Sequence, residues 1–267
     1  MPTGIAELHG KKYDLKVPSI RYNVSPEEWE ARVNLAACYR LVALWGMTDM
    51  IANHISVRVP GESNHLLINA YGLLYEEITA SNLIKIDFDG DIIAKPDFDY
   101  GVNRAGFVIH SAIHRARHEV DCVIHTHTPA GMAISALKCG LLPLTQTAMR
   151  FTTVAYHDYE GVAVNIEEQE RLVDDLGEAD LMVLRNHGLL AAGPTIPEAF
   201  HNIYAAELAC KAQLMAMSCA AGLIMPSTEI IAHTNHLYRR DVRRPFGILE
   251  WPALLRKLDR TDPSFRD

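Results

Sequence analysis

The chain lacks any apolar run of about 18 residues, so no membrane-spanning helix is expected. Its opening stretch, MPTGIAELHGKKYDLK, has no apolar signal core, which points to the cytoplasm. A basic excess is missing too. Lys and Arg number 25 against 33 Asp and Glu, a net charge of −8, and this excludes the electrostatic footprint of a nucleic-acid binder. No CxxC occurs, and the cysteines are odd in number: Cys38, Cys122, Cys139, Cys210 and Cys219. Most lie in apolar contexts such as LAACYRL and LACKAQ, and they read as buried reduced thiols that suit a reducing compartment. No repeat and no low-complexity linker divides the chain.

What is present is an ordinary globular composition, 49% hydrophobic and 22% charged over 267 residues, enough to bury a sizeable core. Residues 1–25 read as an irregular arm, 26–225 as one domain, and 226–267 as an Arg- and Pro-rich extension packed on the domain or on a neighbouring chain. Ser25-Pro26-Glu27-Glu28 is a helix start, and apolar spacing carries the helix to Leu44. Short alternating runs follow, HISVRVP, HLLINA and LIKIDFDGDIIA, with Asp89-Gly90 as a hairpin signal. Helices are expected at Arg104–Arg117, Pro129–Leu137, Glu167–Leu176 and Ile196–Ala221. Further strands are expected at CVIHTHT, VAYHDY, VAVNI, LMVLRNHG and LLAAG. Helices alternate with strands that also form hairpins. The expected fold is therefore α/β, with a central mixed, largely antiparallel sheet covered by helices on both faces.

The sharpest local feature is His125-Thr126-His127 at the end of an apolar strand. Residues i and i+2 of a strand share a face, so two imidazoles stand side by side in a chelating arrangement. Two unconnected histidines would give the same pattern. In Leu184-Arg185-Asn186-His187-Gly188 a second apolar strand delivers a histidine to a glycine turn. Joined to the first pair, it completes three nitrogen ligands with an open position for substrate, the usual form of a catalytic metal site.

HTHTPAGMAISALKCGLLPL and LRNHGLLAAG resemble the class II aldolase/adducin family. Asn53-His54-Ile55-Ser56-Val57-Arg58 resembles its Asn-x-x-Ser-x-Arg segment, and Gly72-Leu73-Leu74-Tyr75 its Gly-x-x-Tyr segment. The similarity spans about residues 30 to 220. It implies a three-layer αβα fold, a divalent metal on His125, His127 and His187 (zinc first, with manganese or iron as alternatives), and a homo-oligomer, a tetramer by preference. Family aldolases use zinc to stabilise an enediolate formed from a ketone phosphate.

One segment departs from that pattern. Where the aldolases carry Ser-Ser-Glu, this chain has Arg104-Ala105-Gly106. Gly106 stands in place of the catalytic glutamate, and glycine cannot move a proton. Tyr71 occupies a position held by Ser or Thr in the phosphate pocket. NRAGFVIHSAIHRARHEVDCVIHTHTPAG resembles the head of adducin more closely than any sugar aldolase. Adducins are cytoskeletal proteins whose neck and basic tail accompany binding to spectrin and actin. This chain stops at Asp267 without such a tail and reads as a free-standing head.

Three functions follow as expectations. The first is a metal-dependent lyase, cleaving or decarboxylating a small hydroxy-carbonyl or hydroxy-acid. The second is a non-catalytic adducin-like assembly module. The third is an iron oxygenase on the same ligands. For the lyase, His110 and Tyr75 are candidates for the proton-handling groups. Asn53, Ser56, Tyr71, Gly72 and Arg104 are candidates to hold substrate, Arg104 through a carboxylate. His110, His114 and Arg117 would share one helix face. His157 would pair with Asp158, while His233 and His236 would lie on the surface.

Overall fold

The computed structural model describes residues 17–151, 153–161, 167–219 and 221–267. The first sixteen residues of the expected arm, and the expected strand VAVNI, lie outside them.

The first helix, α1 (Pro26–Leu44), forms where the sequence places it. Ser25 Oγ accepts a hydrogen bond from the Glu28 amide at 3.1 Å, satisfying one of the first-turn N–H groups, and Pro26 needs no partner there. Strands β1 (His54–Val59), β2 (Glu62–Ile68), β3 (Ile84–Asp87) and β4 (Ile92–Ala94) follow as a meander. Helix α2 (Arg104–Ala116) leads to β5 (Cys122–Thr126), and α3 (Pro129–Ser135) and α4 (Gln146–Met149) come next. Then come β6 (Ala155–His157), α5 (Glu167–Leu176), β7 (Leu181–Leu184), β8 (Gly188–Gly193) and the long helix α6 (Ile196–Ser218). The eight strands form one sheet in the order β4-β3-β2-β1-β5-β8-β7-β6. Every pairing is antiparallel except that of β6 with β7.

Strand alternation splits the core in two. Ile55, Val57, Ile124, Val183 and Leu189 face the layer built from α1 and α6. Val123, Met182, Leu190 and Ala192 face Ile109 and Ile113 of α2 and Leu172 and Leu176 of α5. Each fully buried Ile or Leu contributes roughly 1.5–3 kcal/mol of transfer free energy, so these two apolar layers clamp the sheet between them. The result is an α/β fold with three layers.

The carboxyl-terminal segment, expected as an Arg- and Pro-rich extension with no helix assigned to it, contains two helices, α7 (Thr228–Tyr238) and α8 (Trp251–Thr261). The sequence hides α7 because none of its residues is buried, so it carries no core-facing stripe. Helix α8 docks on α1: Trp251 donates its indole N–H to Asn34 at 2.7 Å, and Phe265 just beyond the helix is fully buried. Among the described residues no helix is long and apolar enough to cross a membrane. Cys38, Cys122 and Cys210 are buried free thiols, whereas Cys139 and Cys219 reach the surface, contrary to the reading from their apolar neighbours.

Candidate metal centre

Two strand ends and one hairpin build the site. On β5, Cys122 and Ile124 point into the α1 layer, so Val123 and His125 point the other way. His127 follows just beyond the strand, and Thr128 then caps α3 by accepting from the Gly131 amide. His187 comes from the three-residue loop between β7 and β8, where Asn186 adopts φ 55°. Gly188 lets the two strands close. A Cβ there would lie 2.3 Å from the carbonyl oxygen of Thr126, a backbone atom that cannot step aside.

The three imidazoles converge on one point through their Nε2 atoms. His125 to His127 is 2.7 Å, His127 to His187 is 2.9 Å, and His125 to His187 is 3.3 Å. The far side of two rings is fixed. His125 donates from Nδ1 to the carbonyl of Leu189 at 2.9 Å, and His127 donates from Nδ1 to the carboxylate of Asp49 at 3.1 Å. A neutral imidazole holding its proton on Nδ1 has a bare lone pair on Nε2. Two such lone pairs facing each other at 2.7 Å repel unless a cation lies between them. Ligand nitrogens at the vertices of a tetrahedron about 2.0–2.1 Å from zinc stand about 3.3 Å apart. The donor set therefore fits a divalent ion, and these three residues form a potential metal-holding cluster. Burial pushes the pKa of His125 well below the ordinary histidine value and that of His187 down to about 4, with repulsion from neighbouring imidazoles adding to it. Both rings are kept in the neutral form a metal requires.

Residues behind the ligands hold them in place. Asn53 Oδ1 accepts from the Asp49 amide at 2.8 Å, fixing the loop that presents Asp49 to His127. Asn53 is itself buried, and while its Oδ1 braces that loop its Nδ2 has no partner among the described residues. The hydroxyl of Thr128 donates to the buried carboxylate of Glu207 on α6. Outer contacts of this kind orient ligands and tune their basicity.

A second polar cluster adjoins the first. His54 of β1 is the register partner of His125, and the two ring centres are 5.1 Å apart. Its Nδ1 lies 2.8 Å from Nε2 of His110 on α2. Ser56 Oγ, on the same face of β1, lies 2.6 Å from His110 Nδ1 and 2.8 Å from His114 Nε2. His110 and His114 are thus turned toward the sheet, while Arg117, just past the helix, pairs with Glu119 and donates to the Ala179 carbonyl. Ser56 is fully buried and engaged with both histidines, which removes it as an anion-holding residue.

Other expected site residues fall elsewhere. Tyr75 is a correction: it opens a short 3₁₀ turn that swings its ring into the opposite layer, edge-on to Tyr39 at 4.5 Å. It is fully buried and its hydroxyl has no partner, so it cannot reach the histidines' side of the sheet. Tyr71 is exposed and bridges through its backbone to Gly101. Gly72, at φ 120°, keeps clear of the Tyr100 ring, which a Cβ would meet at 2.7 Å. The side chain of Arg104 lies outside the described part. His157 pairs with Asp175 at 2.7 Å and not with its neighbour Asp158, because strand geometry points the two residues apart. His233 and His236 are exposed.

A narrow cleft lined by Ile109, Tyr159, Glu168 and His187 opens beside the ligands. A wider one of about 630 Å³ lies between α5 and the carboxyl-terminal segment. Two of its arginines are engaged in ion pairs, Arg240 with Glu198 and Arg239 with Asp241, and it contains none of the three converging histidines.

The reading of the sequence did not single out His54 or Asp49. For His54 the signal was present: in HISVRV the polar residues alternate, placing His54 with Ser56 on one face. What it lacked was the pairing of β1 with β5.

The profile of the Class II Aldolase and Adducin N-terminal domain matches residues 33–214. The solved structure of an aldolase II superfamily protein from Pseudomonas syringae is 50% identical, covers 94% of this chain and 100% of its own, and superposes with a TM-score of 0.89. Alpha-adducin of Rattus norvegicus is 46% identical over 244 residues, which are 85% of this chain but 33% of the adducin. L-fuculose 1-phosphate aldolase from Glaciozyma antarctica PI12 is 28% identical over 99% of this chain and 100% of its own, with a TM-score of 0.80. With two thirds of its length matched by the family profile and a solved relative 50% identical to it, the chain belongs to the class II aldolase and adducin family.

Proposed function

We propose that this protein is a divalent-metal-dependent carbon–carbon lyase that cleaves or decarboxylates a small hydroxy-carbonyl or hydroxy-acid, and that it works as a homo-oligomer with zinc as its first-choice ion. The observation that carries this reading is the convergence of three Nε2 atoms within 3.3 Å of one another, two of them with bare lone pairs. Such a set is built at the cost of lone-pair repulsion, and a bound cation relieves it. When bound there, the ion would supply stabilisation of negative charge developing on a substrate oxygen.

The protein's own residues do the rest. His125, His127 and His187 would hold the ion on one side and leave the other open. Leu189 and Asp49 fix the tautomers of the first two ligands. Tyr159, half exposed and with its ring centre 6.3 Å from that of His187, stands at the rim where a substrate would arrive.

A second reading, an adducin-like assembly module, is favoured by one observation: Gly106 leaves α2 without a carboxylate at the position where the aldolases keep their acid/base group. Elemental analysis of the purified protein beside a His125→Ala/His127→Ala variant tests the first step. About one ion per chain, lost in the variant, supports the lyase reading. The next step is a screen of hydroxy-acids and sugar phosphates with zinc, manganese and iron. A metal-loaded protein that turns over none of them supports the module. Oxygen uptake with iron would point to an oxygenase.

A further inference from the structure

Helix α2 passes the sheet at Gly106. A Cβ at that position would lie 2.3 Å from Cδ2 of His54 and 2.6 Å from its Nε2. Positions 54 and 106 therefore share one volume, and a single side chain can fill it. Here the side chain comes from β1, and it brings an imidazole nitrogen to the place where a residue 106 side chain would begin.

Hydrogen-bond chemistry then decides which form that imidazole takes. The carbonyl of Val120 can only accept, so His114, 3.3 Å away, carries its proton on Nδ1. Neutral His114 offers Nε2 as an acceptor, and the Ser56 hydroxyl donates its one proton there. The Ser56 oxygen is left to accept from His110 Nδ1–H at 2.6 Å. Neutral His110 in turn accepts at Nε2, and His54 donates to it from Nδ1 at 2.8 Å. One carbonyl thus sets the tautomer of three histidines in sequence, and the last of them ends with a bare Nε2. Burial favours the neutral form of all three rings. Reversing every bond would put a lone pair against the Val120 carbonyl.

We propose that His54, whose ring fills the volume that Gly106 vacates, is a substrate-contacting residue whose bare Nε2 accepts a hydrogen bond from the hydroxyl of a small hydroxy-carbonyl or hydroxy-acid. The assignment rests on the lyase reading for its ligand, while the tautomer chain stands on geometry alone. His54 thereby sets specificity: an unmet acceptor disfavours analogues that lack the hydroxyl. It sits beside His125, so a ligand on the ion and on His54 would be held at two points.

Three measurements test it. In the metal-free protein labelled with ¹⁵N-histidine, long-range proton–nitrogen correlation reads which nitrogen of each ring bears hydrogen. His54, His110 and His114 should all show Nδ1–H, and Ser56→Ala should release His110 and His54 into mixed tautomers. Finding His54 as the Nε2–H form, or as imidazolium at neutral pH, overturns the proposal. In the zinc-loaded protein, glycolate should shift the His54 Nε2 resonance and methoxyacetate, which lacks a hydroxyl, should not. Equal shifts from both, or none from either, overturn the contact. Gly106→Ala should lower the melting temperature, and His54→Ala should recover part of that loss in the double variant. Simply additive losses would refute the shared volume. Absence of metal or turnover would refute the lyase reading and leave the tautomer result untouched. A His54 Nε2–H signal in a metal-binding, active protein would refute only the role of His54.

Discussion

The two faces of the central sheet are made by the same strands and differ in almost everything else. Toward α1 and α6 the strands present Ile55, Val57, Cys122, Ile124 and Leu189, an apolar surface without a histidine. Toward α2, β1 and β5 present His54, Ser56 and His125, locked into a chain of imidazoles and one hydroxyl. The period of two lets one strand do both tasks, since adjacent residues never face the same layer. One face supplies stability through non-directional burial; the other holds groups whose geometry is fixed by hydrogen bonds, each neutralised by its surroundings. Substitutions on the two faces should therefore separate stability from metal binding.

The largest effect tests the apolar face. Ile55→Ala should lower unfolding free energy by about 2–5 kcal/mol, read from urea unfolding, with metal per folded chain unchanged. Loss of metal in that variant would mean that the faces are not independent. Next comes the polar face. Asp49→Ala frees Nδ1 of His127 and should weaken metal affinity by roughly 10–100-fold, measured by competition with a chelator, while the metal-free melting temperature barely moves. A large drop in that temperature would make Asp49 part of the scaffold.

The third test is pH. The pKa of His114 is pushed from 6.5 down to about 3 and that of His187 from 6.5 to about 4 in the folded state, chiefly by burial. The unfolded chain therefore binds more protons below the ordinary value, and stability must fall as pH falls. Stability from this source is complete above pH 6.5 and is lost progressively between 6.5 and about 3. Urea midpoints of the metal-free protein across this range should decline, and Ile55→Ala should leave the slope of that decline unchanged. The smallest effect belongs to Tyr75→Phe. Removing a buried hydroxyl that has no partner should be neutral or stabilising, by less than about 1 kcal/mol, with metal content intact. A loss of metal would place Tyr75 back at the site.

Much of this arrangement was legible because it is local. His125 and His127 share a face by strand alternation, and His187 sits where an apolar strand meets glycine. The limits of α1 and α5 coincide with the sequence reading because caps and acidic first turns mark them. What stayed hidden depends on distant pairing. His54 matters because β1 lies against β5, and nothing near residue 54 announces residue 125. Tyr75 follows the Gly72 turn as the family resemblance suggested, yet a short 3₁₀ turn sends its ring to the other layer. Helix α7 escaped because it buries nothing, which erases the stripe that periodicity detects.

The hairpin between β7 and β8 carries a consequence for assembly of the site. His125 and His127 are two residues apart in sequence, so extended conformations of the unfolded protein still bring both to one side and keep a weak two-nitrogen grip on an ion. His187, 62 residues from His125, joins them only when the hairpin is closed. Linkage allows an ion to favour the fold only by as much as it prefers the folded chain to the unfolded one. The third nitrogen adds to that preference, together with the folded-state contacts of Leu189 and Asp49 to the first two ligands, so His187 is one of the residues that tie metal supply to folding.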